Sequence, residues 1–414
     1  MSLYGLWGAA ARRIQPSMPR PPVTPMITAV LVAGLAALAP ATATADDGAA
    51  EFLRDARLFY RVVACGGSDP LPATIDAATV EAHCAEMAKR YQHYTEKYVT
   101  PARAFFAPLR PATVPTTVVY PFGGGDLGSA LVTFPDAREI TTISLEHAGD
   151  PTRLAKLDKK QLRAALAAYR DASEGLLALY DSTSENMRKL ERGGIPGQLS
   201  FHITGMTALG FEPVSLRFVT LEADGKVHHL TSAEIDALAP KKAKRVKGNW
   251  VDTDFSEAFS HMELTFRKAG DPKAPVVVHR HFAANLANSA FKDSPLHKHL
   301  IAKGKFSAMT KAASYLLWLD GFSEIRDLLL ANMAWMASDS TGIPPRFAKK
   351  AGFVQVTYGS FSGPFLEEAD KATGEAMVKL WSSQPHRKLG FRYGYPDAST
   401  AVHLMITQPA EPKP

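Results

Sequence analysis

The sequence has only two cysteines among 414 residues and no apolar run long enough to cross a membrane. A transmembrane helix needs about 20 apolar residues, and the candidate run, "ITAVLVAGLAALA" at residues 27–39, has 13. The chain also lacks any long biased tract, since 46% of its residues are hydrophobic and 21% are charged. This composition indicates a globular protein of one large domain or two to three smaller ones.

The first 45 residues lack acidic side chains altogether. Basic residues precede the apolar run and small residues follow it, which is the pattern of a secretory signal peptide. We therefore predict a signal peptide at residues 1–45 and an exported protein, periplasmic or extracellular. No cysteine lies at the cleavage site, so a lipid anchor is not expected. The residues that carry this prediction are Arg12, Arg13, Arg20, Ala43 and Ala45.

Removal of this segment changes the charge of the chain. Lys and Arg together fall from 47 to 44 while Asp and Glu stay at 41, so the formal charge falls from +6 to +3. A mature protein so close to neutrality has no basic surplus for nucleic acid or an anionic membrane. We expect a small polar molecule as partner, and no transmembrane span in the mature protein.

The two cysteines, Cys65 and Cys84, lie close together in the sequence. In an exported chain, such a pair predicts a disulfide bond. Closing a loop of this size would stabilise the fold by roughly 3 kcal/mol in the chain-entropy model. A metal-binding pair and a reactive thiol remain the alternatives.

The pattern of apolar residues divides the mature chain into two parts. Residues 46–110 show helical spacing, which predicts a helical segment that contains the disulfide. Residues 111–414 alternate strand and helix patterns, which predicts an α/β domain with a doubly wound, mostly parallel sheet of about six or seven strands and an antiparallel edge. Within it we predict one or two buried helices at residues 308–337 and a strand at residues 389–395.

A glycine-rich stretch, "VVYPFGGGDLGSALVTFPDAREITTISLE", begins this α/β part at residues 118–146. Gly123, Gly124, Gly125 and Asp126 lie between a predicted strand and a short helix, where backbone can approach a ligand closely. Glu146 follows the next strand, where a nucleotide-binding unit places an acid for ribose hydroxyls. Two alternatives stay open: a binding loop, or a tight turn in which Asp126 only caps the helix.

The stretch from residue 115 to 147 resembles the cofactor half-site of the Rossmann-like methyltransferase fold. The glycines, the phrase "FPDA" and the acid after the second strand carry the resemblance, and the closing strands fit it too. It implies a Rossmann-like sheet. "YPFGGGD" lacks the acid that usually precedes the glycines, and an exported protein has little access to S-adenosylmethionine. We therefore predict the fold without the activity, and no cofactor.

Most of the mature chain also resembles an uncharacterised family of secreted bacterial proteins. The phrases "PFGGGDL", "KAASYLLWLDGFSEIRDLLL", "SDSTGIP" and "VTYGSFSGP" carry this resemblance. It implies export and a single architecture, and it brings no established activity.

Further polar residues follow other predicted strands. Asn285 and Asn288 would face the glycine loop if the strand before them neighbours the strand at residues 117–122. Asp339 and Arg346 belong to a polar loop that could line a cleft. His279 and His281 point to one face of a strand; half-exposed histidines are the preferred interpretation, and we predict no metal site.

Two classes of function remain after this reading of the sequence. The first is a non-catalytic protein of the cell envelope, either ligand-binding or structural, on a degenerate Rossmann-like scaffold. The second is a secreted hydrolase or transferase whose site is the glycine loop, with Asp126 or Asp339 and a histidine. A pocket that holds a carboxylate, a histidine and glycine-loop amides would favour the enzyme.

Overall fold

The computed structural model describes residues 48–178, 195, 198–238, 256–361, 363, 365–395 and 402–410. The predicted signal peptide lies outside the described residues, and so does the basic segment "KKAKRVKG" at residues 241–248. Residues Ala50–Pro414 form one compact unit. Among the described residues, no helix combines the length and the apolar character that a membrane span requires.

A mixed sheet of ten strands runs through the described part of this unit, in the order β4-β3-β5-β6-β2-β1-β7-β8-β10-β9. The strands are β1 Thr117–Pro121, β2 Glu139–Ser144, β3 Phe211–Leu221, β4 Val227–His229, β5 Met262–Lys268, β6 Val277–Ala283, β7 Phe306–Thr310, β8 Met333–Ser338, β9 Phe353–Gly359 and β10 His403–Pro409. Strands β6, β2, β1, β7 and β8 are parallel neighbours. Antiparallel pairs extend the sheet on both sides.

The sheet confirms the predicted α/β class and its partly parallel character. It has ten strands where about six or seven were predicted, and β7 and β8 lie in a segment for which helices were predicted. The central strands are buried almost throughout, as expected of parallel strands that are covered on both faces.

Helices connect these strands and precede the sheet. They are α1 Leu53–Val62, α2 Ala77–Tyr94, α3 Thr100–Phe106, α4 Leu127–Thr133, α5 Lys159–Ala178, α6 Leu199–Ala208, α7 Ser232–Ala237, α8 Asn288–Phe291, α9 Pro295–Ala302, α10 Ser323–Asn332, α11 Pro345–Lys350 and α12 Lys371–Ser382. A π-helical turn at Thr95–Val99 joins α2 to α3, and 3-10 turns lie at Pro151–Lys156, Glu257–Phe259, Ala312–Trp318, Asp320–Phe322 and Leu366–Glu368.

The N-terminal helices follow directly from local chemistry. Helix α1 buries Ala56, Phe59, Tyr60 and Val62, and its remaining face carries charged side chains. Helix α2 begins at Asp76, whose carboxylate accepts a hydrogen bond from the backbone N–H of Thr79 at 3.2 Å and so caps the helix. The predicted Cys65–Cys84 disulfide is confirmed, and it ties the end of α1 to α2.

Two strands lie where the sequence predicts helices. Residues 308–337 contain most of β7, two 3-10 turns, helix α10 and most of β8, so the prediction of one or two helices was only partly right. "FSAMT" and "MAWMAS" contain no Val or Ile, and periodicity alone cannot distinguish a fully buried strand from a buried helix. At residues 389–395 the described chain forms no strand, only an isolated bridge from Tyr393 to Val402.

Candidate functional site

The glycine loop turns directly from β1 into α4 at the carboxyl end of the parallel strands. Phe122 and Gly124 have positive φ angles of 62° and 48°, which the tight turn requires. A Cβ atom on Gly123 would lie 2.6 Å from the Tyr120 ring. A Cβ atom on Gly125 would lie 2.8 Å from both Gln198 Oε1 and Phe201. The glycines therefore give space to the protein's own side chains, which supports the tight-turn alternative.

Asp126 is engaged by donors of the protein itself. Its carboxylate accepts hydrogen bonds from the Tyr120 hydroxyl at 3.0 Å and from the backbone N–H of Ser129 at 3.2 Å. It also forms an ion pair with Lys311 Nζ at 2.8 Å. Asp126 thus caps α4 and neutralises the lysine that follows β7, and it is not a free base that faces solvent.

Lys311 follows β7 and contacts the start of α4. Only 12% of its side chain is exposed, and its ammonium also donates to Ser129 Oγ at 2.7 Å. The Tyr393 ring lies 4.7 Å from Nζ, and the Tyr98 ring lies 5.9 Å away. Burial opposes the charge of Lys311, but Asp126, Tyr98 and Asp339 together raise the pKa of the lysine above its ordinary value. The pair is therefore ionic.

Asp339 follows β8 and is fully buried. Oδ2 accepts hydrogen bonds from the backbone N–H groups of Ala312 and Tyr395, at 2.9 and 3.0 Å. Oδ1 accepts from the backbone N–H of Thr341 at 2.9 Å and from the Thr341 hydroxyl. With four donors, this carboxylate joins the loops after β7 and β8 to the segment before β10, and it has no lone pair directed to a ligand.

His403 lies beside Ser340 but is not arranged to activate it. The backbone N–H of Ser340 donates to His403 Nδ1 at 3.1 Å, and His403 Nε2 lies 3.1 Å from the Tyr395 carbonyl. Both ring nitrogens are thereby occupied, so the imidazole cannot take the proton of the Ser340 hydroxyl. A serine nucleophile with a histidine base is not formed here.

Glu146 approaches the glycine loop through Gln198. Gln198 Nε2 donates to Glu146 Oε2 at 3.3 Å and to Ser144 Oγ at 3.1 Å, while Gln198 Oε1 lies against Gly125. The acid predicted to hold ribose hydroxyls therefore lies at the expected end of β2. The side chain of Gln198, the residue directly before α6, lies between Glu146 and the loop.

The structure brings together only part of the predicted site. Asp126 pairs with Lys311, and Asp339 is close enough to act on the charge of that lysine. Glu146 contacts Gln198, which lies against Gly125. We call Asp126, Lys311, Asp339 and Tyr393 the carboxyl-end cluster. Sequence reasoning missed Lys311, Gln198 and Tyr393, and a polar residue directly after an apolar run was the signal that could have found Lys311.

The two predicted asparagines and Arg346 make contacts elsewhere. Strand β6 neighbours β2, which separates it from β1, so the premise that placed Asn285 and Asn288 opposite the glycine loop is wrong. Asn288 accepts a hydrogen bond from the backbone N–H of Glu324 at 3.0 Å and donates to Ser323 Oγ at 2.9 Å. Asn285 accepts from the backbone N–H of Ala287 at 2.9 Å. Arg346 pairs with Asp370 at 3.1 Å.

Three histidines form a second buried cluster between α6 and β6. His202, His279 and His281 are fully buried, so the expectation of half-exposed strand histidines was wrong. The His202 ring lies 4.4 Å from His279 and 5.2 Å from His281, between centroids. Thr142 Oγ1 joins His279 Nε2 and His281 Nδ1 at 2.9 and 3.0 Å.

Burial favours the neutral form of these rings. It lowers the pKa of His202 and His279 well below 6.5 and that of His281 to about 4. Neither ring nitrogen of His202 has a hydrogen-bond partner among the described residues. Within the same residues, no group of three or more His, Cys, Asp or Glu side chains is arranged to hold a metal ion. The cluster is thus a neutral packing unit.

A comparison with protein-family models finds no match for this chain, and comparisons with curated proteins and with solved structures find none either.

Proposed function

We propose that this chain is an exported, non-catalytic protein of the cell envelope, structural or ligand-binding, on a degenerate Rossmann-like scaffold. The order of the parallel strands supports this scaffold. Strand β1 is central, the chain adds β2 and β6 on one side, and it then adds β7 and β8 on the other. This winding in two directions is characteristic of Rossmann-like, doubly wound sheets, and the antiparallel β10 agrees with the resemblance to the methyltransferase fold.

The filled glycine loop is the observation that carries the non-catalytic role. A dinucleotide or related cofactor needs the glycine backbone bare so that its polar groups can approach the amides. Tyr120, Gln198 and Phe201 already contact the faces of Gly123 and Gly125. Asp126 and Asp339, the acids of the enzyme alternative, are paired with protein donors. The groups at the carboxyl ends of the parallel strands therefore contact other parts of the protein, as the residues of a core do.

The disulfide supports the exported location. Disulfide bonds persist in oxidising compartments and are rare in the cytosol. Cys65 and Cys84 are joined, and the described residues hold no free cysteine. The basic and apolar pattern of residues 1–45 points to the same destination.

One feature favours the enzyme as a second candidate. The Tyr393 ring lies 4.7 Å from Lys311 Nζ, and its buried hydroxyl has no hydrogen-bond partner among the described residues. A tyrosine beside a charged lysine could donate a proton in a transferase or hydrolase reaction. Burial raises the pKa of Tyr393 well above 10, and the nearby tyrosine and carboxylates act in the same direction, so any such role would be that of an acid.

Ligand-dependent thermal stability tests the proposal. The mature chain would be heated with S-adenosylmethionine, nucleosides and sugars, and compared with the variants Glu146→Ala and Tyr393→Phe. We expect no shift of the melting temperature with S-adenosylmethionine or nucleosides. A saturable shift that Glu146→Ala abolishes would overturn the filled-loop account, and one that Tyr393→Phe abolishes would favour the enzyme.

A further inference from the structure

A groove of about 740 Å³ runs along the charged face of α1. Its other walls are the loop at residues 69–75 and the 3-10 turn at Pro151–Lys156. Ligand pockets in proteins typically have volumes of about 300–1,000 Å³. The groove is formed by elements that lie outside the carboxyl-end cluster.

Positive charge dominates the lining of the groove. Arg54, Arg57 and Arg61 are spaced three and four residues apart, so they share one face of α1. Lys156 faces the same space, whereas only Asp55 and Asp69 contribute carboxylates. Four cations thus face two acids.

The cations of the groove are incompletely neutralised by the protein. Arg57 makes no hydrogen bond or ion pair with any residue in the described ranges, and it is exposed. Arg61 Nε donates to the backbone carbonyl of Asp69 at 3.3 Å. Lys156 Nζ donates to the Thr152 hydroxyl at 2.9 Å. Guanidinium groups that are not neutralised by a carboxylate of the protein can bind flat or tetrahedral anions through paired N–H donors.

Apolar side chains form most of the remaining lining. Leu53 and Leu58 come from α1, and Leu71 and Ile75 come from the facing loop. That loop lies inside the segment closed by Cys65 and Cys84. The disulfide therefore restrains the wall opposite the arginines, which lowers the entropy cost of ordering it around a ligand.

We propose that this groove binds an anionic small molecule with an apolar body, an organic phosphate or carboxylate. The arginines take the anionic oxygens, and the leucines and the proline-rich loop contact the apolar part. This inference rests on the ligand-binding form of the proposed function and gives it a location and a class of ligand. It places the ligand away from the glycine loop.

Calorimetric titration of the mature, disulfide-bonded chain tests the proposal. The probes are 1-naphthyl phosphate, 1-naphthoate and neutral 1-naphthol, which share one apolar body. We expect saturable binding of at least one of the two anions and at least tenfold weaker binding of naphthol. In Arg54→Gln/Arg57→Gln, affinity for that anion should fall at least tenfold. Arg163→Gln removes an exposed arginine of α5 and should leave affinity unchanged.

The comparison between probes also distinguishes the two anion sources. Tighter binding of naphthyl phosphate identifies an organic phosphate, and tighter binding of naphthoate identifies a carboxylate. Equal affinity for naphthol, or unchanged affinity in the double arginine variant, would overturn the proposal. Binding that Glu146→Ala abolishes would place the ligand at the glycine loop and overturn the proposed function as well. Absence of binding would overturn only the groove and leave the structural role standing.

Discussion

At the scale of single residues, Lys311 determines whether the polar groups at the carboxyl ends of the strands are available to a ligand. Its ammonium is buried, pairs with Asp126 and donates to Ser129. A lysine in such a place is stable only because a carboxylate compensates for lost hydration. Both charges are therefore committed to each other, and the same atoms cannot serve a ligand without breaking the pair.

Removal of the lysine charge measures how much the ion pair between Lys311 and Asp126 contributes to stability. In Lys311→Met, Asp126 keeps Tyr120 and Ser129 as donors but loses its counter-ion, so we expect the free energy of unfolding to fall by about 3–5 kcal/mol. Asp126→Asn in the Lys311→Met background should recover part of that loss. Urea denaturation measures both effects. Lys160→Met, at an exposed position of α5, is the control, and strictly additive losses in the double variant would argue against a coupled pair.

At the scale of elements, the glycine loop shows how far a sequence can specify a site. The order of strand, glycines, helix and acid predicted the first turn of a parallel sheet correctly. The sequence could not predict that side chains of the protein fill the space beside these glycines. Those side chains, Gln198 and Phe201, come from the start of α6, more than 70 residues later in the chain. The sequence also could not predict that β6 lies beside β2, and therefore it could not predict the contacts of Asn285 and Asn288.

A pair of glycine substitutions tests whether the loop is filled. Gly125→Ala places a methyl group 2.8 Å from Phe201 and Gln198, and overpacking of this kind costs about 1–3 kcal/mol. Gly390→Ala has no atom within 4 Å of its new methyl group, so we expect it to be neutral or slightly stabilising. Differential scanning calorimetry compares them. Equal melting temperatures for the two variants would indicate an open loop.

At the scale of the whole molecule, the buried histidines link stability to pH. Burial lowers the pKa of His83, His261, His281 and His299 to about 4. Unfolded histidines have a pKa of about 6.5, so the unfolded chain binds more protons as the pH falls below that value. Stability is therefore full above pH 6.5 and is lost progressively toward pH 4.

Acid titration checks this dependence. At pH 5.5, each such histidine costs about 1.4 kcal/mol of stability, so several together approach the stability of an ordinary domain. We expect the urea midpoint to fall steeply between pH 7 and 5.5. His202→Leu replaces a ring whose nitrogens have no partner among the described residues. This variant should make the urea midpoint less dependent on pH. His386→Leu, at an exposed position, should not, and a flat profile down to pH 5 would contradict the account.

Hydrogen exchange at residues 123–129 tests most directly whether the glycine loop belongs to the folding core. The amides of Gly123, Asp126 and Ser129 are hydrogen-bonded within the protein. We therefore expect them to exchange only through global unfolding, as slowly as the amides of β1 and β2. Rapid exchange in the free protein, slowed by S-adenosylmethionine or a nucleoside, would contradict the account and reveal an open ligand cradle.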